Sequence, residues 1–167
     1  MRLLLQRVSR AEVRVDGRVT GRIGRGLVAL VGIGHGDTRD LARVMARRTV
    51  ELRIFPDEEG RTNRSLLDVG GEVLAVSQFT LYADTSRGRR PSFLRAAAPD
   101  VGERLYAAYA DELEALGVPV GRGVFGARMD VELVNEGPFT IWLEGGAEDA
   151  RSSADARSSA EAPRGPA

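Results

Sequence analysis

The chain has 167 residues, 43% apolar and 29% charged, with 24 basic and 24 acidic side chains, no cysteine and one histidine, His35. That length and apolar fraction suit a single domain with a real hydrophobic core. The inventory excludes thiol catalysis, disulfides and cysteine-bearing metal sites, leaves His35 as the one imidazole base, and at zero net charge argues against a general nucleic-acid coat.

All 24 basic residues are arginine. Arginine's planar five-donor fork suits phosphate and carboxylate, although codon bias accounts for the same preference. The opening MRLLLQRVSR has too short an apolar run for a signal segment, and residues 27–31 cannot span a bilayer. The expectation is a soluble, cytoplasmic protein with no membrane association.

In chain order, residues 3–8 and 11–15 read as strands, the second with Val13 and Val15 on one face and Glu12 and Arg14 on the other. Asp16-Gly17 is a hairpin signal, returning through a strand at 19–23. Residues 26–33 form a near-continuous apolar run, as in a buried central strand. The glycines at 24, 26, 32, 34 and 36 do not have dinucleotide-loop spacing and read as turns at strand ends. His35 lies among them with no nucleophile nearby in sequence and reads as a surface turn residue; its replacement is expected to leave turnover largely intact.

Asp37 is the expected N-cap of a helix over 38–52. A polar loop is expected at 56–64 and a strand at 72–79. That strand turns polar abruptly in SQFTLYAD, putting Ser77, Gln78 and Thr80 at the end of a buried element. Such a position suits a site on a rigid scaffold, and equally suits hydroxyls that satisfy backbone groups. Arg87, Arg89 and Arg90 follow on a loop that can meet phosphate oxygens or simply be solvated. A second helix is expected over 100–116, with Leu105, Tyr109, Leu113 and Leu116 as its buried stripe and Gly117 as its C-terminal cap. Closing strands are expected at 118–124, 129–134 and 139–143, with an ordinary turn at Gly137–Pro138.

The fold expected from this pattern is mixed α/β: largely antiparallel sheets forming a barrel-like core, with two main helices packed outside and each occupying a long crossover. Residues 1–144 form the domain. Residues 145–167 carry no Val, Ile, Leu, Met or aromatic residue and are expected to be a disordered polar tail.

The order and spacing of QRVSRA (6–11), VDG (15–17), LRIF (52–55), SQFTLYAD (77–84), GRRPSF (88–93), FGA (125–127) and N-x-GP-x-T (135–140) resemble the D-aminoacyl-tRNA deacylase family over nearly all of residues 1–143. The resemblance implies a homodimer that hydrolyses the ester between a D-amino acid and the 3′ end of tRNA, with the active site at the subunit interface. It implies catalytic residues Ser77, Gln78, Phe79 and Thr80, substrate-binding residues Gly137, Pro138, Arg7 and Asn135, and neither metal nor cofactor. The Gly-Pro pair is lent by one subunit to the other's pocket, with Arg7 as its support, and rejects L-aminoacyl groups through a cis peptide whose two carbonyls point the same way. Glycine has no side chain to exclude, so glycyl-tRNA is an expected leak. Glu136 and Phe139 stand where the family often has Asp and Val, which implies tuning effects.

An aminoacyl ester is already activated, so backbone N–H groups around Phe79 and Thr80 can serve as oxyanion donors without Cys or His, with water or the tRNA's vicinal hydroxyl as attacking group. The alternatives carried with this reading are a non-catalytic module that binds tRNA 3′ ends and a purely structural homodimer.

Overall fold

The computed structural model describes residues 1–146, 148 and 149. The fold starts from one long strand, β1 (Arg2–Val15), whose two halves have different neighbours. Its first half pairs antiparallel with β3 (Gly26–Gly32), and its second half with β2 (Arg18–Ile23) across the Asp16-Gly17 turn. Its other edge carries β8 (Asp130–Glu144) along nearly its whole length. A bulge at Ser9 joins the halves: Val8 and Arg10 oppose the adjacent residues Asn135 and Val134. The extra residue shifts the alternation by one, so Val8, Ala11 and Val13 all reach the same core.

The remaining strands of the main sheet pair in parallel. β6 (Glu72–Ser77) lies beside β3, and β7 (Val120–Arg122) beside β6. Each parallel step needs a crossover, supplied by helices α1 (Arg39–Glu51) and α2 (Pro99–Ala115). A small hairpin, β4 (Phe55–Pro56) and β5 (Thr62–Arg64), stands apart from the main sheet where a polar loop was expected.

Curling of the sheet brings β7 round to β2. A Cβ on Gly21 would stand 2.7 Å from the Arg122 main chain, and one on Gly121 would stand 3.1 Å from the Arg22 nitrogen. Glycine on both sides allows the backbones to approach and nearly close a barrel.

The sheet buries both faces. Val8, Val13, Ile23, Val28, Leu74 and Val76 fill the barrel interior. Leu3, Leu5, Leu27, Val31 and Val73 face the helices. On α1, Leu41, Ala42, Met45, Ala46, Thr49 and Val50 make the buried stripe. Thr49 Oγ1 donates to Met45 O at 2.8 Å and meets the Tyr109 hydroxyl of α2 at 2.9 Å, which satisfies both buried hydroxyls.

Three local expectations are corrected. Thr38, not Asp37, caps α1, its hydroxyl accepting from Leu41 N–H at 3.2 Å. The Asp37 carboxylate is engaged elsewhere, by the Met1 ammonium at 2.6 Å and Gly34 N–H at 2.7 Å, and charge-assisted bonds of this kind outcompete a cap. The expected strands at 3–8 and 11–15 are one strand, and so are those at 129–134 and 139–143. Gly137–Pro138 therefore lies within β8 and does not reverse the chain.

Of the expected polar tail, Gly145 is buried, with its N–H donating to Met1 O at 2.9 Å, and Asp149 pairs with Arg48 at 3.5 Å. The rest of that expectation lies outside the described residues, apart from the exposed Gly146 and Glu148. Among the described residues, no helix is long and apolar enough to cross a membrane.

Candidate active site

The site begins where β6 runs out. Ser77 is its last residue, opposite Val31 of β3, and Gln78 N–H donates to Val31 O at 2.7 Å. The chain then winds into a single 3₁₀ turn, Phe79–Tyr82. The first residues of such a turn lie too early to donate within it. Among the described residues, no hydrogen bond engages the N–H of Phe79 or Thr80, whereas Leu81 N–H donates to Gln78 O at 3.2 Å and Ala83 N–H to Thr80 O at 3.0 Å.

Tyr82 is buried, and burial, with Asp37 nearby, pushes its phenol up to about 12. Phe79 is the opposite case, 57% exposed, with its ring edge-on to Phe93 at 5.0 Å and 74°. Phe93 belongs to a loop fastened to the end of β3. His35 Nε2 meets Leu94 O at 2.9 Å, His35 N–H donates to Arg95 O at 3.3 Å, and Ala97 N–H donates to Ile33 O at 2.9 Å. His35 is an exposed tether for this loop.

Two cavities flank Phe79. One, of about 360 Å³, is lined by Ser77, Phe79, Phe93, Ala97, Phe125 and Gly126 among others, and is mainly apolar. The other, of about 220 Å³, adds Gln78, Ala127 and Met129 at the barrel mouth. The exposed Thr80 hydroxyl is bonded to the Gln78 side-chain amide. Among the described residues, no Asp, Glu or His side chain bonds to Thr80, and no group of three or more His, Cys, Asp or Glu is arranged to hold a metal ion.

The second constellation is an excursion in β8. Between its pairings with Gln6 and Val8, two residues apart, β8 runs from Thr140 to Asn135, five residues apart. The three surplus residues loop out with Gly137 and Pro138 exposed, and the peptide between them is cis. Asn135 ties the base of the loop: its Nδ2 donates to Arg7 O at 3.0 Å, and its Oδ1 accepts from Gln6 Nε2 and Thr140 Oγ1, both at 3.1 Å.

Arg7 is only 7% exposed. Its guanidinium lies 4.1 Å over the Phe139 ring, donates to Ile54 O and stands 3.6 Å from Glu136. Arg25 approaches the same carboxylate at 4.0 Å. Arg7 and Asn135 thus brace the loop from beneath. Gly137 and Pro138 line neither cavity beside Phe79, so within one chain the two constellations do not form a single pocket.

The model of the family described as D-Tyr-tRNA(Tyr) deacylase matches residues 4–144, nearly the whole described fold. The chain belongs to this family. A D-aminoacyl-tRNA deacylase of Roseiflexus castenholzii is 61% identical over 144 residues, 86% of this chain and 92% of that one. One from Deinococcus radiodurans is 56% identical over 86% of this chain and 99% of its own length. Among solved structures, a chain titled c-Myc DNA unwinding element binding protein superposes with a TM-score of 0.83 at 39% identity, covering 88% of this chain and all of that one.

Within this deacylase fold, the structure sets Ser77, Gln78, Phe79 and Thr80 at one strand end, and sets Arg7 of β1 and Asn135 of β8 beneath the loop that carries Gly137 and Pro138. Arg87, Arg89 and Arg90 are exposed and have no ion-pair partner among the described residues. Phe93 and Phe125 line the cavity without having been expected there from residue type alone. Their signal was present, since both fall in the GRRPSF and FGA segments that carry the resemblance. Tyr82 falls in SQFTLYAD in the same way, whereas Arg2 lies outside every such segment.

Proposed function

We propose that this deacylase hydrolyses the ester between a D-aminoacyl group and the 3′ end of tRNA, through main-chain groups. Water, or the vicinal hydroxyl of the terminal ribose followed by water, attacks the ester carbonyl. The carbonyl oxygen becomes an oxyanion that the Phe79 and Thr80 N–H groups stabilise. Collapse breaks the bond to the ribose oxygen, which takes up the proton from the attacking group, leaving free D-amino acid and tRNA. The observation that carries this reading is the pair of adjacent turn N–H groups without a hydrogen-bond partner among the described residues, the first of them on Phe79, which lines the cavity, in a chain of this family. Donors of this kind are worth about 2.7–4 kcal/mol each where tested.

The working form in this reading is a homodimer. Gly137 and Pro138 of one copy reach the Phe79 cavity of the other, where their backbone holds the amino group of a D substrate and clashes with the side chain of an L substrate. Their exposure, and their distance in role from the cavity lining of their own chain, support this. Glycyl-tRNA lacks the excluded side chain and is hydrolysed as well. Arg87, Arg89 and Arg90 meet acceptor-end phosphates.

Incubating the protein with D-Tyr-tRNA and L-Tyr-tRNA and following ester loss tests the reading. Rapid, selective loss of the D ester is expected. The DNA-binding title of the 39% identical structure keeps one other reading open, a module that binds nucleic-acid ends without hydrolysis. Binding of tRNA with no loss of either ester would establish that reading instead.

A further inference from the structure

The Phe79–Tyr82 turn is gripped from two sides. On one, Tyr82 and Leu81 settle onto the end of β3, where a Cβ on Gly34 would stand 2.5 Å from the Tyr82 ring and one on Gly32 3.1 Å from Leu81 Cβ. The glycines leave space that these two side chains occupy. On the other side lies Arg2, the first residue of β1. Its Nη1 donates to Leu81 O at 3.0 Å, inside the turn, and its Nε donates to Glu144 Oε1 at 2.9 Å. Its guanidinium centre is 4.4 Å from the centre of the Tyr82 ring and 5.6 Å from that of Trp142. The Arg2 side chain is 14% exposed. Four contacts therefore converge on one planar group, and a lysine ammonium has neither the fork nor the stacking face to reproduce them.

We propose that Arg2 is a positioning residue for deacylation, holding the Phe79–Tyr82 turn through Leu81 O and Tyr82 so that the Phe79 and Thr80 N–H groups stay aimed at the substrate. Arg2 touches no reacting atom. It acts on the donors of the reaction, and Glu144 fixes its orientation. The proposal rests on the reading that those N–H groups are the oxyanion donors. Placement at this level matters because a misplacement of about 1 Å can cost a reaction on the order of 100-fold.

The test compares Arg2→Met and Arg2→Lys with the wild-type full chain, using D-Tyr-tRNA and amide hydrogen exchange. For Arg2→Met, kcat is expected to fall about tenfold or more with KM within about threefold, the pattern of a group acting in the transition state. Exchange at residues 79–83 should accelerate while β3 and β6 keep their protection. Arg2→Lys is expected to fall between, and it carries the comparison if the methionine variant does not fold. A wild-type kcat in the variants overturns the proposal, as does a lowered kcat with unchanged exchange in the turn. A wild-type chain that cleaves no D-Tyr-tRNA overturns the deacylase reading itself, which separates the two failures.

Discussion

Thr80 carries a hydroxyl at the centre of the site, and its surroundings decide its role. A hydroxyl nucleophile needs a base within hydrogen-bond reach. Thr80 Oγ1 meets the Gln78 amide instead, and an amide cannot take a proton. Thr80→Ala is therefore expected to keep substantial deacylase activity, since the proposed oxyanion donors are main-chain groups that the substitution leaves in place. Loss of a true nucleophile costs about 10⁶ in kcat, so a single-turnover assay separates the cases, and a loss on that scale would mean that Thr80 is covalently involved. His35 makes a parallel case. Its ring bonds to Leu94 O on an exposed loop, and among the described residues it makes no hydrogen bond to the Phe79–Tyr82 turn. His35→Ala removes one hydrogen bond of about 0.5–1.5 kcal/mol net. It should leave kcat within about threefold, a difference well under the 1.36 kcal/mol that a tenfold change represents.

At the scale of elements, the point most sensitive to a small change is the approach of β2 to β7. A Cβ at position 21 would be 2.7 Å from both Arg122 N and Arg122 O, and backbone cannot step aside as a flexible side chain can. Gly21→Ala is expected to lower stability by about 1–3 kcal/mol, as overpacking does. A denaturant midpoint unchanged from wild type would show that the barrel closes more loosely than this. The same strands show what local pattern conveys. Residues 19–23, 26–33 and both helices were legible because each is an uninterrupted pattern, a period or a continuous apolar run, that local neighbours do not disturb. Residues 3–15 were not read as one strand, because the Ser9 bulge changes the alternation without ending the strand. Pro138 suggested a turn for a related reason: it has no N–H to give a ladder, yet in a looped-out stretch of β8 none is required. The candidate site's place in the fold was legible where polar residues end a buried strand, at Ser77–Thr80. The Arg2 clamp was not, since Arg2, Tyr82 and Trp142 come from three distant parts of the chain and no local window contains them.

For the whole molecule, the absence of lysine bears on alkaline stability. In most proteins lysines and tyrosines lose their protons in the same range, near pH 10. Here all basic side chains but His35 are arginines, whose guanidinium keeps its charge there, so the arginine–carboxylate ion pairs of the fold persist. The chain has three tyrosines, and burial is the main cause that raises each above its ordinary value of 10.0, Tyr82 to about 12 and Tyr106 and Tyr109 also upward. Above pH 10 the unfolded chain therefore gives up phenolic protons that the folded chain retains. The unfolded state binds fewer protons, so stability falls as pH rises. This contribution is fully present below pH 10 and is lost as pH climbs through the folded values. The expected result is that native protein shows almost no tyrosinate absorbance just above pH 10, and that the signal then appears together with loss of helical circular dichroism. Tyr109→Phe removes a fully buried ionisable group and should move that joint transition to higher pH, even though it gives up the bond to Thr49 at neutral pH. Ionisation of one tyrosine in three near pH 10 with the fold intact would contradict the account, because it would mean that one of these rings opens to water without unfolding.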